Sequence, residues 1–391
     1  MSGRAGTPST ARRGGCLESS VVVRIPLSRC PFLQASAAVK RNSSRRREAF
    51  MHELMVGASA HATADVERLR EAGIGWVRLD FGFPFSGRIG AEVTEQYALQ
   101  KADAAGLAAK GIGVMGVTPL PGIAVHRPDA QGQLALQWQD WLPAWCGPLG
   151  SDECLKAYEE ACAWLADDLR RFVRAWQVAN ELDIEQFAGP LSPRQAAHLI
   201  LHGARGLKSA DASLIVGPNA AGSDKAYYLF GHLYGTNSGL LDYCGIDGYY
   251  GTWAPGGPEK WAERIGELHA LTGAPVLINE WGFSSAGRLM TQKERRAGLP
   301  VCQLRKWAYK WGRGHTRKGQ AEFVQAAFDA FCTQREALLG VFFYRWEDQE
   351  RCWQCSAPDC PADTAWGLVD RNGRPKPSFH TFKEGVQRLL A

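Results

Sequence analysis

From residue 54 to the end, short β-branched apolar runs alternate with longer amphipathic stretches, and that alternation limits the fold more than any other feature of the sequence. The apolar runs are LMVGAS (54–59), WVRLDF (76–81), IGVMGV (112–117), AWQVAN (175–180), LIVGPN (214–219), DYCGIDGYY (242–250), PVLINE (275–280) and GVFFYRW (340–346). Continuous apolar runs of this length suit strands buried on both faces of a parallel sheet. Between them, 62–73, 94–111, 153–171, a segment opened by Ser192 and Pro193, 258–272, 320–338 and 377–390 carry helical spacing. Eight strands in one continuous β/α series predict an α/β fold, a single (β/α)8 barrel with long β/α loops over residues 51–391. A doubly wound open sheet competes, but VGASAHAT after the first strand lacks the G-x-G-x-x-G phosphate turn.

Charge is unevenly placed. Residues 1–50 hold ten Lys/Arg against two acids, whereas the rest of the chain holds 35 bases against 38 acids. The basic, acid-poor opening has no periodic apolar pattern and is expected to be a disordered extension outside the fold. A near-neutral body makes nucleic acid an unexpected partner. No uncharged apolar stretch reaches 18 residues, so no helical membrane span is expected. VVVRIPL is too short for the core of a secretory signal, which points to the cytoplasm, with secretion as the alternative.

A barrel carries its reactive groups at the C-terminal ends of its strands. Asn180-Glu181 follows the fourth strand and Glu280 ends the seventh, 99 positions later. These strands lie on roughly opposite sides of an eight-stranded barrel, so their carboxyl groups would face one another across its mouth. Cleaving a glycosidic bond needs such a pair, one to protonate the leaving oxygen and one to attack; about 5–5.5 Å between them marks the retaining, double-displacement route. Either glutamate alone could equally cap a helix or pair with a lysine.

In WQVANELD (176–183), VLINEWGFSS (276–285), WVRLDF, DYCGIDGYY, FFYRWED (342–348) and WGLVDRNGRPKPSFHTF (366–382), the chain resembles the clan A glycoside hydrolases, the cellulase-, mannanase- and β-xylosidase-like barrels. The resemblance spans 54–390 with its motifs in order. It implies a carbohydrate substrate, with Glu181 as acid/base and Glu280 as nucleophile. Asn180 would hold the sugar 2-hydroxyl, and Arg78 would orient the nucleophile. Tyr249, or alternatively Tyr250, would hydrogen-bond the nucleophile, and Trp346 would floor the sugar subsite. Asp247 departs from several of these families, which have histidine there. A third acid at that place bears on the nucleophile's pKa and on substrate preference. The same chemistry needs no cofactor and no metal.

The chain holds 14 tryptophans. Trp138, Trp141 and Trp145 recur at a spacing that would show them together on a helical turn, as a sugar platform or as a loop seal. Trp253 and Trp281 sit beside the sixth and seventh strand ends and are expected to touch substrate. The seventh loop (286–320) holds ten Lys/Arg and one acid, either a solvated basic face or a lid for anionic glycans. Trp307 and Trp311 within it suggest a short helix. Eleven scattered cysteines favour free thiols. Cys352, Cys355 and Cys360 cluster locally and could bind metal or pair as a disulfide, but a zinc site would need a fourth ligand, Cys302 or His315, and neither stands at ligand spacing. Two functional alternatives share these features: a carbohydrate-binding barrel without catalysis, and a transglycosylase using the same covalent intermediate.

Overall fold

The computed structural model describes residues 54–391 apart from positions 62, 133, 237 and 238. The basic stretch 1–50, expected to lie outside the fold, falls outside the described residues. In chain order the elements open with β1 (Met55–Ser59), α1 (Val66–Glu71), β2 (Trp76–Asp80), α2 (Glu95–Ala109), β3 (Gly113–Val117), β4 (Gly122–Pro128), β5 (Leu134–Asp140) and α3 (Asp152–Leu169). They continue with β6 (Val173–Gln177), α4 (Glu185–Ala188), α5 (Pro193–Ala210), β7 (Ile215–Gly217), α6 (Asp224–Thr236), β8 (Cys244–Gly248), α7 (Lys260–Thr272) and β9 (Val276–Trp281). The last are β10 (Arg288–Leu289), α8 (Gln292–Arg296), α9 (Val301–Leu304), β11 (Lys306–Trp307), α10 (Arg317–Thr333), β12 (Leu338–Phe343), α11 (Pro361–Thr364) and α12 (Pro377–Leu390).

The long helices begin where side chains can satisfy their first amides. Thr94, Ser151, Ser192 and Thr316 each accept a backbone N–H of the following turn, and Ser192 forms a reciprocal box with Gln195. At the other end of α7, Gly273 takes the left-handed conformation (φ 68°) that closes a helix without a Cβ penalty.

Eight strands form one all-parallel sheet in the order β7-β6-β3-β2-β1-β12-β9-β8. Single hydrogen bonds bridge the remaining seam between β7 and β8. Asp242 donates its N–H to Val216 O (2.7 Å) and accepts the Val216 N–H on its carboxylate (2.9 Å), and Asp247 N–H reaches Ala220 O (2.8 Å). The sheet is thus a near-closed barrel ringed by helices.

Strand alternation divides the apolar residues into two layers. Met55, Met115, Ala175, Tyr243, Leu277, Leu339 and Phe342 fill the barrel interior. A larger layer lies between strands and helices, where Val77, Trp176, Ile278 and Phe343 meet residues such as Leu165, Leu199, Phe328 and Phe382.

The loops depart from expectation. Residues 118–150, between the third and fourth barrel strands, contain the antiparallel hairpin β4–β5, with Gly122 opposite Asp140 and Pro128 opposite Leu134. Trp138 therefore lies on a strand, with its ring against Gly122 and Gly189. Trp141 is exposed beyond that strand, and Trp145 donates its indole N–H to Phe85 O (3.2 Å). The three never share a helical face. Helical spacing misread them because alternation along a strand followed by a turn gives similar intervals. Likewise Trp307 belongs to the two-residue strand β11, paired with β10, so no helix joins it to Trp311.

Candidate active site

The polar residues at the C-terminal ends of β2, β6, β8 and β9 converge above the interior apolar layer. At the end of β9 the pairing with both neighbours slips: Ile278 faces Ile246 and Val341, whereas Glu280 faces Asp247 and Trp281 faces Phe343. Such a bulge inserts an extra residue and re-aims the side chains that follow. Asn279 and Glu280 consequently both turn toward the barrel mouth, and Trp281 turns outward.

Glu280 is held from two sides. Arg78 Nη1 lies 2.8 Å from Oε1, and Tyr249 donates its hydroxyl to Oε2. Burial alone would lower the Arg78 pKa, but Glu280, Asp80 and Asp247 outweigh it and raise the value, so the guanidinium keeps its charge. The rest of its fork is engaged: Nε donates to Gln177 Oε1 (3.0 Å) and Nη2 to Asn180 Oδ1 (2.8 Å). Gln177, fully buried, also accepts from Asn279 Nδ2 (2.8 Å). Arg78 is thereby fixed before any ligand arrives.

Beyond β6 the chain makes an unusual turn. Ala179 and Glu181 both have positive φ (56° and 44°), a left-handed conformation costing a non-glycine residue about 1–3 kcal/mol. Local hydrogen bonds hold it: Thr118 Oγ1 accepts the Ala179 N–H (2.8 Å), Asn219 Oδ1 accepts the Glu181 N–H (2.8 Å), and Gln177 Nε2 donates to Ala179 O (2.8 Å). Asn180 Oδ1 receives three donors, from Arg78 (2.8 Å), Gln177 (3.0 Å) and Asn219 (2.8 Å).

The Glu181 carboxyl meets that of Asp247, and the two are within hydrogen-bonding reach. Burial first, then the charge of Glu280, raise the pKa of both acids well above the ordinary carboxylate range. Asp247 Oδ2 accepts from Asn219 Nδ2 (2.5 Å), while its buried Oδ1 has no N–H or O–H partner among the described residues. A proton shared with Glu181 would satisfy that oxygen. Two carboxyls in this position titrate as a pair rather than singly.

The structure thus brings together Arg78, Asn180, Glu181, Tyr249 and Glu280 of the residues singled out in the sequence. It separates four others. Tyr250 points away from Tyr249, as neighbours on an extended chain do, and packs edge-on against Trp261 (5.2 Å). Trp281 is fully buried among Phe328, Phe331, Phe343 and Phe382, so it belongs to the layer beneath the helices rather than to a substrate surface. Trp346 is 2% exposed and packs against Phe379 of α12, which corrects its assignment as a subsite floor. Trp253 is exposed but turns its ring edge-on to Trp307 (4.9 Å), over a cavity lined by His126, Met290 and Tyr309 rather than by the carboxylates.

Strand parity locates the aromatic groups that were missed. Phe342 points into the barrel and Phe343 out of it, so Tyr344 turns in again. Its ring lies 5.7 Å from Tyr249 and 5.8 Å from Trp366, and Trp366 lies 5.1 Å from Tyr249. Arg345 stands over the Tyr344 ring (4.8 Å), 3.7 Å from Asp363.

In sequence, no protein-family model and no curated protein matches the chain. Its fold matches many solved structures. Over 86% of its length it superposes on 98% of a GH10 xylanase from Thermobacillus composti, with a TM-score of 0.57 at 16% identity. It superposes over 84% of its length on 91% of the GH53 catalytic domain from Ignisphaera aggregans (TM-score 0.54, 18% identity). A GH2 β-galacturonidase from Eisenbergiella tayi matches 83% of the chain (TM-score 0.50, 15% identity), which spans about half of that enzyme's length, 47%. At these identities the likeness is one of fold: the chain has the (β/α)8 barrel that glycosidases of several families share.

Proposed function

We propose that the protein is a retaining β-glycosidase acting on O-glycosides, with Glu280 as nucleophile and Glu181 as acid/base. The observation that carries this reading is the grip of Arg78 and Tyr249 on Glu280, next to a buried acid pair whose surroundings favour the protonated form. A nucleophile needs its charge, and the guanidinium and phenol supply the partners that favour it. An acid catalyst needs its proton at working pH, and burial of Glu181 beside Glu280 favours keeping it.

In the first step Glu280 attacks the anomeric carbon as Glu181 gives its proton to the departing oxygen, leaving a glycosyl ester on Glu280. Esterification removes the Glu280 charge, so the repulsion on Glu181 drops and its carboxylate can take a proton from water. That water cleaves the ester and returns both groups to their starting states. Asn180, its oxygen saturated, offers its amide N–H to the sugar hydroxyl next to the reacting carbon. The half-buried rings of Tyr249 and Tyr344, backed by the fully buried Trp366, suit the apolar face of a pyranose.

Labelling with a panel of 2-deoxy-2-fluoro glycosides, followed by peptide mapping, tests the proposal. A single modification on Glu280 is expected. Azide should restore turnover of an activated substrate to Glu181→Ala with retained stereochemistry. Full hydrolytic activity in both Glu181→Ala and Glu280→Ala would overturn the assignment.

A further inference from the structure

Away from the carboxylates, the seventh and eighth β/α loops meet at four cysteines. Cys302 lies on α9, whereas Cys352, Cys355 and Cys360 follow β12. Their four sulfurs all lie within 4.8 Å of one another, and no other group of three or more His, Cys, Asp or Glu among the described residues comes together in this way. Cys302 Sγ is 3.9 Å from Cys352 Sγ and 3.8 Å from Cys360 Sγ.

Those separations discriminate between two chemistries. A disulfide requires sulfurs about 2.05 Å apart. A tetrahedron of thiolates around zinc, each about 2.3 Å from the metal, has edges of about 3.8 Å. The two spacings from Cys302 match the tetrahedral edge, the others stay within 4.8 Å, and all four cysteines are free. The local backbone is arranged to the same end. Ser356, directly after the Cys352-x-x-Cys355 pair, takes a left-handed φ of 59° and donates its N–H to Cys352 O (2.7 Å). This tight turn brings two thiols three residues apart onto one side of the chain. Cys302, Cys352 and Cys360 are buried beside Met290, Trp307 and Trp366, where hydration of an ion would be displaced by fixed ligands. A cavity of about 390 Å³ reaches Cys302 and Gln354 and supplies a path of entry.

We propose that Cys302, Cys352, Cys355 and Cys360 bind one structural zinc ion. Binding exchanges four thiol protons for the metal, Zn²⁺ plus four Cys–SH giving a Zn(Cys)4 dianion and four H⁺, with no change of oxidation state. The dianion needs basic neighbours: Arg351 on the eighth loop and, on the seventh, Arg305 and Lys306, which also pair with Asp359 and Glu294 (2.6 Å each). Arg351 precedes Cys352 and donates to Ser356 O (3.1 Å) across the turn, while Arg305 and Lys306 follow Cys302 closely in the chain. Four protein ligands close the coordination sphere, so the ion would be structural rather than catalytic. It would fasten the α9 segment to the loop that continues through α11 to Trp366.

The test is elemental analysis of the full chain, purified without chelator, by inductively coupled plasma mass spectrometry. About one zinc per chain is expected, as a closed four-thiolate site holds one ion. Cobalt(II) added to chelator-stripped protein should produce the intense thiolate-to-cobalt absorption of a tetrahedral site. The double variant Cys352→Ser/Cys355→Ser should lose the zinc and melt at a lower temperature, whereas Cys332→Ser should retain both. Wild-type protein that holds no zinc and exposes four titratable thiols would overturn the proposal. So would iron in zinc's place, a disulfide among the four in native peptide maps, or undiminished zinc in the double variant.

Discussion

Arg78 Nη1 stands 2.8 Å from Glu280 Oε1, and both side chains are nearly buried. Removing one member of a buried pair strands the other. Arg78→Met should therefore lower stability by about 3–5 kcal/mol, measured by denaturant unfolding. Arg78→Lys keeps the charge but loses the fork that also engages Gln177 and Asn180. It should fold, yet lose roughly 10²–10³-fold in kcat, the scale of one preorganised electrostatic contact.

Tyr249 and Tyr250 are neighbours with opposite orientations. Tyr249→Phe removes the hydroxyl on Glu280 and should reduce kcat/KM by about 10–100-fold, about one to two powers of ten per lost charge-assisted hydrogen bond. Tyr250→Phe should leave kcat/KM within about twofold, since its ring packs against Trp261 outside the site. Steady-state kinetics on an aryl glycoside compares the two directly.

The Glu181–Asp247 pair makes activity depend on pH in a defined direction. On the proposed mechanism, activity should fall as pH rises through the raised pKa at which Glu181 loses its proton. Asp247 supplies a hydrogen bond that favours the Glu181 carboxylate and so restrains that rise. Asp247→Ala removes the bond and should move the alkaline limb of the kcat/KM profile upward. Asp247→Asn, still a donor, should move it less.

The same pair makes stability depend on pH. Both acids have folded pKa values raised above their unfolded ones, chiefly by burial, so the folded state binds more protons than the unfolded. Their contribution to stability is full below the unfolded carboxylate range and is lost as pH climbs toward the raised values. Glu181→Gln and Asp247→Asn should consequently stabilise the protein, with a gain that grows from acid to neutral pH. Each pH unit crossed by one such group is worth about 1.4 kcal/mol at most. Melting temperatures recorded across pH would reveal the trend.

Lys376, completely buried, bonds both Asp348 Oδ1 and Ser285 Oγ at 2.9 Å. This pair ties the segment before α12 to the loops after β9 and β12. Lys376→Ala leaves Asp348 without its cation and should cost about 3–5 kcal/mol in urea unfolding.

The barrel was legible because every strand is a continuous apolar run, and both glutamates were legible because they end such runs. Period-two alternation would also have placed Tyr344 inward and Tyr250 outward. It fails at Trp281, where the bulge near Asn279 reverses parity, and a bulge leaves no mark on hydrophobicity. The Gln177–Asn219–Asn279 network was hidden because buried amides resemble loop residues until their partners are known. The choice of Cys302 over His315 as the fourth thiol-cluster member was not legible, since the 50 residues separating it from Cys352 are closed only by tertiary structure. The hairpin β4–β5 was masked by Pro128 and Trp138 within it and by the prolines and tryptophans that flank it.

The threefold occupation of Asn180 Oδ1 has a consequence for selectivity. An amide locked by three donors cannot flip, so any ligand beside it meets an N–H and never a carbonyl. Sugars presenting an oxygen acceptor at that spot are welcomed, and those presenting only hydrogen forfeit the contact. On the proposed glycosidase reading, the resting protein has therefore already chosen the polarity of its guest's second carbon.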